Sequence, residues 1–183
     1  MRVTGGHFAP HHYAIDMVEQ ASVDVTLFRA LSFTARQLNA VVEDELRHSA
    51  GVSLPDFEIL SALRAAPELR LRAGELGHLL AWEKSRLSHQ VSRMERKGLI
   101  ERIACESDQR GTWVALTKAG AAAVDRAAPA FEAAVHSQLG DVAATASGAE
   151  LADQVLALGL QVSPPSCQLA LTKLRASLET AQN

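Results

Sequence analysis

The chain has 183 residues, of which 48% are hydrophobic, and a formal net charge of −3 with a pI near 6.2. This length suits one domain, or one domain with long terminal arms. The mildly acidic balance excludes an overall basic nucleic-acid-binding surface, so any contact with DNA must depend on locally concentrated charge. No apolar run is long enough to span a membrane, and the first residues lack the pattern of a signal peptide. We therefore expect a cytoplasmic protein with no membrane partner.

Residues 1–22 contain a glycine pair, a proline and three histidines, and predict a flexible N-terminal arm. His7, His11 and His12 have no neighbouring carboxylate or thiol to complete a metal site, so we predict no metal and no cofactor. The two cysteines, Cys105 and Cys167, have no metal-ligand spacing and are too few for a disulfide framework.

The segment 23–50 predicts a long amphipathic helix, because Leu38, Val42 and Leu46 recur at helical spacing and Gly51 follows as a stop signal. A second helix is predicted over 53–66. Ser53 is its expected N-cap, Pro55 lies in its first turn, and Pro67 ends it. Residues 70–73 predict a short extended link or edge strand, and a third helix follows from Ala73 to Leu80.

The segment 84–97, KSRLSHQVSRMERK, predicts a helix with two contrasting faces. Leu87, Val91 and Met94 form a narrow apolar face. The opposite side carries hydroxyls, an imidazole and guanidiniums, and the segment has a net charge of +4 in a chain of net charge −3. Forked donors on an exposed helix suit phosphates and base edges in a DNA major groove. Two helices joined by the short turn 81–83, the second basic, form a helix-turn-helix pattern.

After Gly98, residues 99–103 and 113–117 predict two strands around the polar loop 104–112, which is a β-hairpin. Placed after a helix-turn-helix, such a hairpin is the wing of a winged helix. Its tip can reach a minor groove, where arginine is favoured. Arg110 is the candidate, with Asp108 two residues before it.

Three further helices are predicted over 118–139, 147–160 and 168–180. Pro129 predicts a kink in the first, Ser147 with Glu150 predicts a capping box for the second, and Pro164 and Pro165 separate the second from the third. These helices have apolar stripes but little core of their own, so we expect them to pack across a two-fold axis.

The predicted fold class is mainly α with a small β-wing. Its predicted organisation is a flexible arm 1–22, a dimerisation helix 23–50, a winged helix-turn-helix DNA-binding domain 51–117, C-terminal dimerisation helices 118–163 and an additional helix or tail 164–183.

From about Leu46 to Ala122 the sequence resembles the MarR family of bacterial transcriptional regulators. The resemblance is carried by GELGHLL at 74–80, SRLSHQVSRMERKGLIER at 85–102 and SDQRGTWVALTKAG at 107–120. It implies a homodimeric winged-helix regulator of double-stranded DNA, commonly a repressor that is released by a small aromatic or phenolic ligand. The DNA-binding residues that it implies are Lys84, Ser85, Arg86, Ser88, His89, Ser92 and Arg93 at the major groove or its flanking phosphates, and Arg110, oriented by Asp108, at the minor groove. The chain departs from the family pattern in its long N-terminal arm and in the segment after Pro164.

Three alternatives remain beside this hypothesis. Cys105 at the base of the wing is a candidate redox sensor, and an ordinary strand-end cysteine is the plain interpretation. A winged helix used for protein contacts would be expected to carry more apolar or aromatic anchors than 84–97 offers. An enzyme is disfavoured, because the seven histidines are scattered and no metalloprotease, nucleophile-elbow, phosphate-loop or dinucleotide motif is present.

Overall fold

The computed structural model describes residues 22–104, 112–145 and 147–181. The chain divides into two units, residues 1–40 and residues 41–183. Its helices are α1 (Val23–Ala50), α2 (Leu54–Arg64), α3 (Ala73–Leu80), α4 (Lys84–Arg96), α5 (Lys118–Ala143), α6 (Gly148–Val162) and α7 (Gln168–Ala181). Its strands are β1 (Arg70–Arg72), β2 (Ile100–Ala104) and β3 (Thr112–Leu116), and short 3-10 turns occupy Pro67–Leu69 and Pro165–Cys167. The predicted class, mainly α with a small β-wing, is confirmed. Within the described residues, no helix combines the length and hydrophobicity that crossing a membrane requires.

In the first unit, the described part of α1 exposes several large apolar side chains. Leu27 is 51% exposed, Phe28 71% and Phe33 59%. These residues lie on a helix, as the sequence predicted, but they are not buried within the single chain.

The core of the second unit is built from α2, α3, α4, α5, the end of α1 and the sheet. Its largest fully buried apolar side chains are Leu46, Ile59, Leu60, Leu63, Leu76, Met94, Ile100 and Val114. Phe57 of α2 stacks on Phe131 of α5, with ring centroids 4.8 Å apart. The predicted cap of α2 is confirmed: the Ser53 hydroxyl accepts a hydrogen bond from the Asp56 amide, and the Asp56 carboxylate accepts one from the Ser53 amide, each at 3.2 Å.

The three strands form an antiparallel sheet in the order β1-β3-β2. Residues 70–72 are therefore the predicted edge strand, with Leu71 opposite Val114. On the other side of β3, Arg102 lies opposite Val114.

The segment 107–120 ends in the pattern Leu116-Thr117-x-x-Gly120, and the start of α5 shows why these residue types are needed. The Thr117 hydroxyl accepts from the Gly120 amide at 3.0 Å and lies 2.7 Å from the Gly98 carbonyl oxygen, to which it can donate. A Cβ at Gly120 would come within 2.0 Å of the Leu99 carbonyl oxygen, so only glycine fits there. Gly98 itself ends the basic segment with φ near +70°, a conformation that glycine adopts without strain. The motif thus fastens α5 to the junction between α4 and β2.

Two details at the C-terminal helices differ from the predictions. Helix α5 continues through Pro129 to Ala143 rather than ending near residue 139. The predicted capping box of α6 is wrong, because the Ser147 backbone is helical rather than extended and its side chain makes no cap hydrogen bond. Glu150 instead accepts from the Gln154 side chain at 3.4 Å.

Candidate nucleic-acid interface

The turn between α3 and α4 sets the position of the basic helix. Ala81 closes α3 in a left-handed conformation with φ +53°. The Trp82 amide donates to the Gly77 carbonyl at 2.9 Å, and the Ala81 amide donates to the His78 carbonyl at 3.3 Å. These bonds satisfy two of the last four carbonyls of α3, and the chain turns into α4 within three residues. Helix α4 therefore begins directly beside α3, as in the predicted helix-turn-helix.

Helix α4 buries the face that the sequence predicted. Leu87, Val91 and Met94 are at most 5% exposed, and they pack into the core with Gln90, which is 8% exposed. The predicted groove residues lie on the remaining surface: Ser92 is half-buried, and the other six, Lys84, Ser85, Arg86, Ser88, His89 and Arg93, are exposed. One helix thus places all seven predicted major-groove residues outside the core.

A buried carboxylate fixes α4 against α2. Asp56 is completely buried; Gln90 Nε2 donates to its Oδ1 at 2.5 Å and Lys97 Nζ donates to its Oδ2 at 2.7 Å. Burial raises the pKa of Asp56, but the hydrogen bonds from Lys97 and Ser53 and the charge of Lys97 outweigh that effect and hold the pKa below its usual value. Lys97, counted in the basic segment, is therefore held in an ion pair with Asp56.

Arg86 is held against the beginning of the helix. Its Cζ atom lies 4.0 Å from the centroid of the Trp82 ring, a cation–π contact. Burial raises the pKa of Glu58 on α2, and the positive charge of Arg86 opposes part of that rise. Arg86 is thus exposed but oriented by an aromatic ring and a nearby carboxyl group.

Arg102 of β2 connects the wing to the exposed surface of α4, a role that the sequence did not reveal. Its guanidinium donates to Glu95 Oε2 at 3.0 Å, to Ser92 Oγ at 2.9 Å and to the Ser88 carbonyl at 3.4 Å. The Ser92 hydroxyl also donates to the Ser88 carbonyl at 2.9 Å. The Ser92 hydroxyl is therefore hydrogen-bonded within the protein. Arg102 places a cation beside the predicted groove residues.

Arg93 differs from Arg86 and Arg102 in its surroundings. Among the residues that the structure describes, its guanidinium has no hydrogen-bond or ion-pair partner, and it is exposed. A guanidinium in this state keeps all of its donors for an external acceptor.

Two arginines of β1 pack against an aromatic ring of the sheet, and one of them, Arg70, also forms an ion pair with Glu68. The Cζ atoms of Arg70 and Arg72 each lie 4.9 Å from the ring centroid of Trp113 on β3. The sequence predicts a link or edge strand at residues 70–73, but it gives no indication that the arginines of this segment contact Trp113.

Several predicted residues lie outside the described part of the chain. These are Asp108 and Arg110 at the wing tip, Cys105 at the wing base, and His7, His11 and His12 of the N-terminal arm. The strands that carry the wing are described, and Ala104 and Thr112 are paired where the hairpin leaves the sheet.

Comparison with known proteins agrees with this geometry. A family model for the MarR family matches residues 50–111. The crystal structure of AbsC, a MarR family transcriptional regulator from Streptomyces coelicolor, is 30% identical, covers 79% of this chain and 99% of its own, and superposes with a TM-score of 0.69. Sco3205 from the same organism, a MarR family regulator solved in complex with DNA, is 28% identical with a TM-score of 0.73, over 80% of this chain and 93% of its own.

A third structure shows the same fold at lower identity. The organohalide-sensing regulator RdhR-CbdbA1625, solved with 2,4-dichlorophenol bound, is 17% identical with a TM-score of 0.71, over 87% of this chain and 90% of its own. Comparison with curated protein sequences gives no match.

The identity to AbsC over nearly its whole length, together with the family match on the helix-turn-helix and wing, shows that this chain belongs to the MarR family of winged-helix DNA-binding transcriptional regulators, which are not enzymes.

Proposed function

We propose that this protein is a homodimeric repressor that places α4 of each protomer in the major groove of a pseudo-palindromic operator and leaves the DNA when a small aromatic or phenolic ligand binds. The observation that carries the proposal is the outer surface of α4, where exposed basic and hydroxyl side chains face away from the buried side that Leu87, Gln90, Val91 and Met94 form. The DNA complex of Sco3205 and the dichlorophenol complex of RdhR-CbdbA1625 support the two halves of the proposal.

The DNA contacts divide into two classes in this proposal. Arg86 and Arg93 reach base edges, while Lys84, Ser85, Ser88, His89 and Ser92 contact bases or flanking phosphates. Arg110, oriented by Asp108, enters the adjacent minor groove. Residues 51–117 form the DNA-binding domain, and 23–50 and 118–163 supply the dimer interface.

The first test measures binding of the full-length protein to the DNA upstream of its own gene. Fluorescence anisotropy over a salt series gives the affinity. We expect nanomolar affinity, at least about a thousandfold above a scrambled fragment, with half-sites about 10 base pairs apart. Equal and strongly salt-dependent binding to both fragments would place the operator elsewhere. Absence of binding at low salt would contradict the proposal.

The exposed apolar side chains of the C-terminal helices favour a dimer. Leu139 and Val142 of α5 are 40% and 47% exposed, and Leu151 and Val155 of α6 are 50% and 46% exposed. Such a stripe on a soluble regulator is typically covered by a partner. A second copy of the same chain fits best, because two bound operator half-sites require two recognition helices.

Replacing Leu151 and Val155 by Glu should therefore break the dimer. These residues lie four positions apart on one face of α6, and two buried carboxylates per protomer would weaken association by at least about a hundredfold. Light scattering after gel filtration should show about twice the 19.6 kDa chain mass for the unmodified protein and the single mass for the variant. The control Gln154→Glu adds charge at an exposed position of the same helix and should stay dimeric. A dimeric double variant would place the interface elsewhere.

Arg110→Ala tests the wing. The variant removes one cation that contacts a phosphate or the minor groove. It should therefore weaken operator binding and lower the slope of log K against log salt by about 1 per site. Arg126→Ala removes the same charge from an exposed position on α5 and should leave the slope unchanged. An unaltered slope for Arg110→Ala would exclude the wing contact.

A further inference from the structure

The indole of Trp82 lies directly before the first turn of α4. Glu83 is the N-cap of α4, so Trp82 precedes the cap and Arg86 is the third residue of the helix. The Trp82 amide donates to the Gly77 carbonyl at 2.9 Å, and its half-buried side chain packs against the core. Backbone and side chain are both held in this way, so the ring offers a fixed surface beside the helix.

The contact between Arg86 and this ring leaves the hydrogen-bond donors of the arginine available. Arg86 Cζ lies 4.0 Å from the ring centroid, which is close to van der Waals contact. The attraction is between the positive charge and the face of the ring, so it does not require the N–H donors of the guanidinium. Within residues 22–104, 112–145 and 147–181, no hydrogen bond or ion pair engages the Arg86 side chain.

The arginines on this surface of the protein are held in different ways. Arg102 donates to three acceptors of the protein itself. Arg93 keeps its donors, but no ring or carboxylate among the described residues orients it. Arg86 combines an oriented guanidinium with available donors. Such a side chain loses less rotamer freedom when it binds, so it can favour one base-pair edge over others.

Glu58 of α2 is the second group that acts on Arg86. Its carboxyl group is half-buried, and the charge of Arg86 opposes the rise in the pKa of Glu58 that burial causes. No hydrogen bond or ion pair joins the two side chains, both of which the structure describes. The carboxyl group therefore attracts the guanidinium without fixing its direction, and the ring contact is the better defined of the two.

We propose that Trp82 is a positioning residue that directs Arg86 to the edge of one base pair in each half-site and thereby determines part of the operator sequence. Guanine is the expected base, because its O6 and N7 accept both arms of a guanidinium. The inference rests on the proposed function, DNA binding through α4. It adds a residue that sets sequence preference through Arg86 rather than through its own contact with DNA.

The test uses the full-length protein and a duplex that the unmodified protein selects from a random DNA library, with each base pair then substituted in turn. Trp82→Leu keeps an apolar side chain but removes the aromatic face. It should weaken binding to the selected duplex by about fivefold or more and abolish the preference at one base pair of each half-site. Affinity for a scrambled duplex should change by less than about twofold. Trp82→Phe restores an aromatic face and should recover most of the loss.

A second substitution separates positioning from a general structural effect. If Trp82 acts through Arg86, Trp82→Leu should weaken binding by less than about twofold further in an Arg86→Ala background, but by its full factor in an Arg93→Ala background. A folding defect would weaken binding in both backgrounds and would lower the temperature of thermal unfolding. Trp82→Met replaces the Leu variant if that temperature falls.

Glu58→Gln tests whether the carboxyl group, rather than the ring, positions Arg86. This variant removes the negative charge and leaves Trp82 in place, so the preference at the base pair read by Arg86 should persist. Loss of that preference in Glu58→Gln together with its retention in Trp82→Leu would overturn the proposal.

The remaining outcomes are also distinct. A loss confined to one base pair, recovered by Trp82→Phe and absent without Arg86, supports the proposal. Unchanged affinity of Trp82→Leu, equal losses on the selected and scrambled duplexes, or a full further loss in the Arg86→Ala background overturns it, while the proposed function stands. Failure of the proposed function is visible separately, because the unmodified protein would then select no duplex.

Discussion

Asp56→Asn should lower the free energy of unfolding by about 2–4 kcal/mol, the largest stability effect that we expect from any single polar substitution in the described residues. The carboxylate is completely buried and accepts from Gln90, Lys97 and the Ser53 amide. Removing one partner of a buried charged pair commonly costs about 3–5 kcal/mol. We expect the smaller loss of about 2–4 kcal/mol because the Lys97 side chain is 45% exposed, so that water can solvate its ammonium group when the carboxylate is removed. Urea unfolding monitored by circular dichroism measures the difference.

The same pair predicts how the difference changes with pH. Because the folded-state pKa of Asp56 is depressed, its stabilisation is fully present above the unfolded-state pKa of about 3.9 and is lost as the pH falls through the lower native pKa. The stability gap between the unmodified protein and Asp56→Asn should therefore be constant from about pH 5 to 7 and close below about pH 4. A gap that stays constant to pH 2 would contradict the assigned charge state.

Asp125 supplies the control for this experiment. It forms an ion pair with Arg64 at 3.1 Å, but its side chain is 57% exposed. Asp125→Asn should change the unfolding free energy by less than about 1 kcal/mol, because solvent screens exposed pairs. A loss equal to that of Asp56→Asn would mean that burial does not distinguish the two carboxylates.

The sequence predicted those parts of the fold that depend on local periodicity and on caps. Leu87, Val91 and Met94 repeat at helical spacing, and the structure buries all three. Gly51 predicts the end of α1 and Ser53 predicts the start of α2 through chemistry within three or four residues, and both predictions are confirmed. Ser147 has the same local signal as Ser53 but adopts a helical backbone, so the signal alone does not ensure a cap.

The sequence could not predict contacts that join distant residues. Gln90 is polar and was not assigned to the buried face, yet it is buried because Asp56, 34 residues earlier, provides an acceptor. Nothing in the sequence links Arg102 to Ser92, because the hydrogen bond between them depends on how β2 packs beside α4. Residue type and spacing do not predict such pairings, because the partners come together only when the core packs the elements against each other.

The position of Arg93 leads to the largest expected effect on DNA binding. Arg93→Ala should weaken operator binding by about 1–3 kcal/mol, or roughly 5- to 150-fold, if the guanidinium pairs with guanine O6 and N7. Its donors have no partner among the described residues, so the free protein loses little when the side chain is removed. Arg86→Ala is a less direct test, because it also removes the contact with Trp82 and a positive charge near Glu58.

Two further variants separate base recognition from simple charge. Arg93→Lys keeps the charge but loses the forked pair of donors, so its affinity for the operator should fall almost as far as that of the Ala variant while non-specific affinity is preserved. Arg126→Ala removes an exposed arginine from α5 and should change operator affinity by less than about twofold. Equal losses on operator and scrambled DNA for Arg93→Ala would assign the residue to phosphate contact. Unchanged operator affinity in the same variant would contradict the placement of Arg93 in the groove, because a guanidinium that pairs with a base or a phosphate cannot be removed without loss of affinity.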